Sequence, residues 1–80
     1  MKAKDMFKKL GYSKIEDAIT IQYSKDNDHK IRFWKSSKQI ELFGGYELET
    51  DLENNQYFTD NFKLFVAINQ QVKELNWDNE

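Results

Sequence analysis

Few side chains in this sequence could do covalent or acid–base chemistry. The 80 residues include no cysteine and one histidine, His29. A nucleophile needs an oriented base within hydrogen-bond reach, and a single histidine closing the turn-like run "SKDNDHK" reads as a solvated side chain. The carboxylates of "ELETDLE" and the Asp-x-Asp of "DNDH" are the candidates for holding Mg²⁺ or Ca²⁺. Neither has the ligand number or the glycine of a calcium loop, so solvated acidic turns are expected, with no metal and no other cofactor. Gly44-Gly45 is not a phosphate cradle, because glutamates follow it where a lysine or a helix start would be needed. The chain is therefore expected to be no enzyme, to have no catalytic residues and to take no small-molecule substrate.

Recognition chemistry is better represented. In "KIRFWK", Lys30 to Lys35, two large rings occupy adjacent positions of a strand-like run. Neighbours in a strand point to opposite faces, so Phe33 and Trp34 cannot share one core. Alternation assigns Ile31 and Phe33 to the core with Ile19, Ile21, Ile40 and Leu42. It leaves Arg32 and Trp34 on the far face, where Glu41 and Phe43 of the next strand would meet them. Exposed aromatics beside an arginine have the composition of an interface hot spot. The candidate partner-binding residues are thus Trp34, Phe43, Arg32 and Glu41, with a further acidic contact at Glu47, Glu49, Asp51 and Glu53. The competing reading is structural: Arg32 and lysine stems, or the segment 44–58, cover the two rings.

The elements that must position these residues follow from periodicity and capping. In "AKDMFKKL", Ala3, Met6, Phe7 and Leu10 share a helical face. Gly11 is a natural left-handed residue after that helix, and Tyr12 is placed to fold back on Phe7 as in a Schellman ending. "AITIQY" alternates as a half-buried strand, with Thr20 and Gln22 on its polar face. "SKDNDHK" has turn chemistry, and "KIRFWK", the connection "SSK" and the strand "QIELF" come next. Past Gly44-Gly45, Tyr46 and Leu48 alternate with Glu47 and Glu49, so the strand continues through a bulge or a short extra strand begins. Asp51 to Gln56 reads as loop. Thr59 is placed to cap a second helix over 60–75, with Asp60 in its first turn and an apolar stripe of Phe62, Phe65, Ile68, Val72 and Leu75, widened by Leu64, Val66 and Ala67. "VKELNW" repeats the ending of "FKKLGY", with Asn76 as the left-handed residue and Trp77 packing back on Val72. The expectation is an α+β single domain, residues 1–80, in the order α-β-β-β-α. Its antiparallel three-stranded meander, with a possible short fourth strand, carries both helices on one face.

Composition narrows the partner class. A chain this short buries only roughly 60 to 65% of its unfolded surface, and with no disulfide to help, its twelve aromatic residues must supply much of the core. No run of about 18 apolar residues exists and the N-terminus has no signal-peptide pattern, so a soluble, cytoplasmic protein without membrane contact is expected. Charge is polarised along the chain: residues 1–40 hold ten Lys/Arg against five Asp/Glu, and residues 41–80 hold two against nine. Such asymmetry either marks a partner surface or is neutralised when the halves interleave. The element order is also that of double-stranded RNA-binding domains. Those domains look different where it matters, with a lysine cluster opening the second helix, where this chain reads "TDNFK". An acidic pI of about 5.4 also opposes phosphate tracking. The basic residues Lys2, Lys4, Lys8, Lys9 and Lys14 around the first helix read as a solvated face.

The motifs "MFKKLGY" (Met6 to Tyr12) and "AINQQVKELNW" (Ala67 to Trp77) resemble those of small proteins encoded by phages and prophages of low-GC Gram-positive bacteria. The likeness covers the element order of nearly the whole chain, but only these 18 residues in motif. In that group the second motif ends Leu-Gly-Trp, so Asn76 departs from it at the helix cap. The resemblance implies a phage or prophage origin and residence in the host cell, and implies no chemistry. The resulting expectation is a non-enzymatic accessory protein that binds another protein or itself through the open sheet face. Two alternatives are a nucleic-acid-binding regulator using the basic first helix, and an acidic nucleic-acid mimic that blocks a host enzyme.

Overall fold

The computed structural model describes residues 1–44 and 55–77, and the side chains of these ranges apart from those of 55–61. The elements are α1 (Ala3–Lys9), β1 (Ser13–Glu16), β2 (Thr20–Asp26), β3 (His29–Trp34), β4 (Gln39–Gly44) and α2 (Asn55–Glu74). The strands form an antiparallel sheet in the order β1-β2-β3-β4, so the expected α+β fold is present with four strands. β1 is the added one. Its sequence "SKIE" has one apolar residue and two charges, too short and too polar an alternation to read as a strand, yet it pairs fully with β2 as an edge.

Register fixes the two faces. Ile21 pairs with Phe33 and Phe33 with Ile40, while Tyr23 pairs with Ile31 and Ile31 with Leu42, all on the helix-bearing side. Ile21, Tyr23, Ile31 and Phe33 are buried there against Ala3 and Phe7 of α1 and Leu64 and Ala67 of α2. Three expected core members are not covered. Ile19 lies in the β1–β2 turn at 59% exposure, and Ile40 and Leu42 remain 39% and 42% exposed because the buried core stops at β3. Aromatic packing is the centre of the core. Phe7 stacks on Tyr23 with ring centroids 3.8 Å apart, and Phe33 meets both rings edge-on.

Both helix endings close as the sequence predicts. The Gly11 and Tyr12 amides donate to the Lys8 and Phe7 carbonyls, and the Asn76 and Trp77 amides to those of Lys73 and Val72, the paired bonds of a Schellman motif. Gly11 and Asn76 are left-handed at φ 92° and 58°. Each motif delivers an aromatic to the core: Tyr12 edge-on to Phe7, and Trp77 to Phe33 with centroids 6.1 Å apart.

α2 differs from expectation in two ways. It begins at Asn55, so Thr59 and Asp60 lie within the helix and are not at its start, and Asn55 and Gln56 are helical where a loop was expected. Its buried face is Leu64, Ala67 and Gln71, flanked by Ile68, Val72 and Leu75, whereas Phe62, Phe65 and Val66 are exposed. The rotation is explained by Gln71. Its side-chain Oε1 accepts a 2.5 Å hydrogen bond from the Tyr23 hydroxyl inside the core, and a buried hydroxyl without a partner is costly. At the far end of α2 the Glu74 carboxylate accepts the Ala3 amide at 2.7 Å, capping α1, whose preceding residue Lys2 has no capping side chain.

The β2–β3 hairpin turns on Asn27-Asp28, tighter than the seven-residue turn the sequence suggests, with a bulge between Ser24 and Asp26. β4 closes against this turn at Gly44, which has φ 105°. A Cβ on Gly44 would fall 1.2 Å from the Asp28 carbonyl oxygen, whereas one on Gly11 would meet only the flexible Lys25 side chain at 3.6 Å or beyond.

Gly44→Ala is therefore expected to cost more than about 2 kcal/mol, since backbone must move as well as adopt a disfavoured φ. Gly11→Ala should cost about 1 kcal/mol. Thermal melts of the two variants check the ranking, at about 4–8 °C per kcal/mol for a domain this size. Tyr23→Phe should lose about 1–3 kcal/mol by orphaning the Gln71 side chain. The double variant Tyr23→Phe/Gln71→Leu, which removes both polar partners, should recover part of that loss in the same melts.

Candidate recognition face

The sheet face away from the helices carries Thr20, Gln22 and Ser24 of β2, Lys30, Arg32 and Trp34 of β3, and Gln39, Glu41 and Phe43 of β4. β1 adds Ser13 and Ile15, since Ser13 is opposite Ser24 and Ile15 opposite Gln22. Ile15, Gln22, Arg32 and Glu41 thus form one cross-strand row spanning all four strands.

Arg32 is the organiser of this face. Its Nε and Nη2 both donate to Gln22 Oε1, at 3.1 and 2.8 Å, and Gln22 Nε2 donates onward to Ser24 Oγ at 3.0 Å. The guanidinium carbon lies 5.0 Å from the Phe43 ring centroid and 5.7 Å from that of Trp34, within cation–π range of both. The Trp34 indole N–H donates to Glu41 Oε1. All four predicted face residues are therefore in one network, and both rings reach the surface: Trp34 is half-buried and Phe43 is 36% exposed.

Beside this network is a shallow depression of about 320 Å³. Ile15 and Ile19, exposed at 63% and 59%, give it apolar walls, while Trp34, Arg32, Gln22 and Thr20 line the rest with Asp17 at the rim. Sequence reasoning placed Gln22 on this face without naming it as a contact residue, and missed Ile15 and Ile19. Gln22 could have been found from the hairpin, because a tight turn at Asn27-Asp28 sets it opposite Arg32. Ile15 could not, because β1 was not read as a strand. The acidic positions Glu47, Glu49, Asp51 and Glu53 lie outside the described residues, as does the strand continuation or short extra strand expected over Tyr46 to Glu49.

The rim is held by carboxylates. Asp17 Oδ1 accepts the backbone amides of Thr20 and Ile19 at 2.7 and 2.8 Å, and these bonds, Thr20's first, hold its carboxyl below the ordinary 3.8. Lys35 Nζ bridges Glu16 Oε2 at 2.8 Å and the Asp17 carbonyl at 2.7 Å, tying the β1–β2 turn to the end of β3. Lys35, then Lys14, lowers Glu16 from 4.5. At the opposite end of the sheet, Asp26 is lowered chiefly by His29, whose Nδ1 is 2.9 Å away. His29 thus engages the turn carboxylate, while Lys2, Lys4, Lys8 and Lys9 stay exposed. Among the described residues no three His, Asp or Glu side chains are grouped to hold a metal ion, and no helix is long and apolar enough to cross a membrane.

Lowered carboxyl pKa values mean that the charged forms favour the fold. Their contribution is complete above the ordinary values of 3.8 and 4.5 and is lost as pH falls through the lower folded-state values. The wild-type melting temperature should accordingly fall between pH 5 and pH 2, and fall less in the variant Glu16→Gln/Asp17→Asn, which has already lost that charge at neutral pH. Melts across this range check the sign, and an equal fall in both proteins would contradict it.

No family model matches the chain, and no curated protein or solved structure matches it either.

Proposed function

We propose that the protein is a non-enzymatic, protein-binding accessory module whose contact surface is the open sheet face around Trp34, Arg32, Phe43 and Glu41. One observation carries this reading: Arg32 is fixed by Gln22 and by two aromatic rings, yet both rings remain accessible beside an apolar depression. Tryptophan and arginine are the residues most enriched at interface hot spots, and a side chain already held in place loses little further freedom on binding. The depression is shallow and its polar groups are largely satisfied within the face, which suits a protruding apolar side chain of a protein partner better than a small polar substrate. The motifs Met6–Tyr12 and Ala67–Trp77 support a phage or prophage origin, with the partner in the cytoplasm of a low-GC Gram-positive host.

The test is capture from such a host lysate with immobilised wild type, Trp34→Ala, Arg32→Ala and, as a control on the other side of the molecule, Lys8→Ala. A specific protein retained by wild type and Lys8→Ala should be weakened at least about tenfold by Trp34→Ala or Arg32→Ala, with circular dichroism unchanged. Retention of nothing by wild type, or of a protein indifferent to Trp34→Ala, would overturn the reading.

A further inference from the structure

The two edges of the sheet are built differently. β1 is four residues long and carries Lys14, and short length and lysine both discourage another strand from adding. β4 has six residues, "QIELFG", with no lysine and no proline, and among the described residues it pairs only with β3. Its Ile40, Leu42 and Phe43 are exposed at 39%, 42% and 36%. Among the described residues this edge leaves a row of N–H and C=O groups unpaired, with apolar side chains on both faces, and such an edge is a template for a further strand.

We propose that β4 is a dimerisation edge, at which two copies of the chain join antiparallel about Leu42 to make one continuous sheet. Symmetry limits the choice of register. A two-fold axis perpendicular to the sheet pairs only residues that share a face, so the axis must pass through a residue of β4. At Glu41 it would set two carboxylates directly opposite, which is repulsive. At Ile40 it would pair Leu42 with Lys38, which is in the turn at φ 56°. At Leu42 it pairs Leu42 with itself, Ile40 with Gly44, and Glu41 with Phe43 of the second copy. This last register is also complementary in charge. Arg32 is over Phe43, and Lys30 is directly opposite Phe43 on β3. Glu41 of the second copy would therefore flank Phe43 on the face where Arg32 and Lys30 stand behind that ring, twice per dimer, while leucines meet on the helix-bearing face. A second copy fits this edge better than an unrelated strand because both halves of the complementarity are already in β4 and β3. The inference does not depend on the open face binding another protein, and would join two such faces side by side.

Sedimentation of the full chain over a range of concentrations should show a monomer–dimer equilibrium. Leu42→Lys, which places two ammonium groups at the axis, should raise the dimer Kd at least about tenfold without changing the circular dichroism. Because the chain has no native cysteine, Leu42→Cys introduces a single thiol that should form a disulfide-linked dimer on mild oxidation. Ile15→Cys, exposed on the opposite edge, should not. Crosslinking by Leu42→Cys reports the contact even where Leu42→Lys perturbs the fold. Trp34→Ala should leave the dimer intact, which separates this test from that of the open face. A monomer at every concentration, a dimer unaffected by Leu42→Lys and dissociated by Trp34→Ala, or crosslinking through Ile15→Cys in place of Leu42→Cys would overturn the proposal.

Discussion

The bond between the Tyr23 hydroxyl and Gln71 is the constraint on which the arrangement of this small molecule depends. Burial, then the nearby Glu74 and Glu16 carboxylates, push the Tyr23 hydroxyl pKa up, so it remains a donor and must find an acceptor. Tyr23 is also the ring on which Phe7 stacks. One side chain therefore joins α1 by its face and α2 by its hydroxyl. Apolar contact alone would allow α2 to roll, since its apolar residues extend from Leu64 round to Phe62 and Val66. The inward-facing Gln71 selects one rotation, with Leu64 and Ala67 on the sheet and Phe62, Phe65 and Val66 outside.

Helix endings and a long-range cap then lock the layer. In each Schellman motif the left-handed residue reverses the chain so that the next aromatic returns to the core, and Phe7 and Phe33 each gain a neighbour this way. Trp77 does so at some cost, as its indole nitrogen is buried without a hydrogen-bond partner among the described residues. Glu74 links the two helices, accepting the Ala3 amide while Gln70 donates to the same oxygen. A seven-residue helix is too short to be stable alone, so α1 exists because Phe7 and Ala3 are buried and Glu74 satisfies its first amide.

What was legible in the sequence was legible through period and capping. Strand alternation separated Phe33 from Trp34 and grouped Arg32, Trp34, Glu41 and Phe43 correctly, because in an antiparallel meander a face needs only parity to be assigned. The two endings were legible because glycine or asparagine followed by an aromatic is a local signal. β1 was not, since its pairing depends on a backbone edge left open by β2 and hardly on its own side chains. The rotation of α2 is not legible from an apolar stripe, which leaves out Gln71; only knowledge that Tyr23 is buried would require a polar partner on that helix. Ile40 and Leu42 alternate correctly, but whether an inward position is covered depends on how far the helices reach, which alternation does not encode.

The open face contributes shape more than stability. Two exposed cation–π contacts at about 0.5–1 kcal/mol each and hydrogen bonds at about 1 kcal/mol net are offset by up to about 2 kcal/mol for fixing the arginine and by smaller losses at Gln22 and Trp34. The sum is small beside a core made by Phe7, Tyr23 and Phe33, each fully buried. A network that adds little to folding still fixes the direction of a guanidinium and two rings, so the entropy of ordering them is lost during folding, and a partner docking on the proposed surface would not have to lose it again. The same residues left unordered would present equal composition with less recognition. In this fold the helix-bearing face supplies the stability, and strand parity carries the rigidity of that face through to Arg32 on the other side.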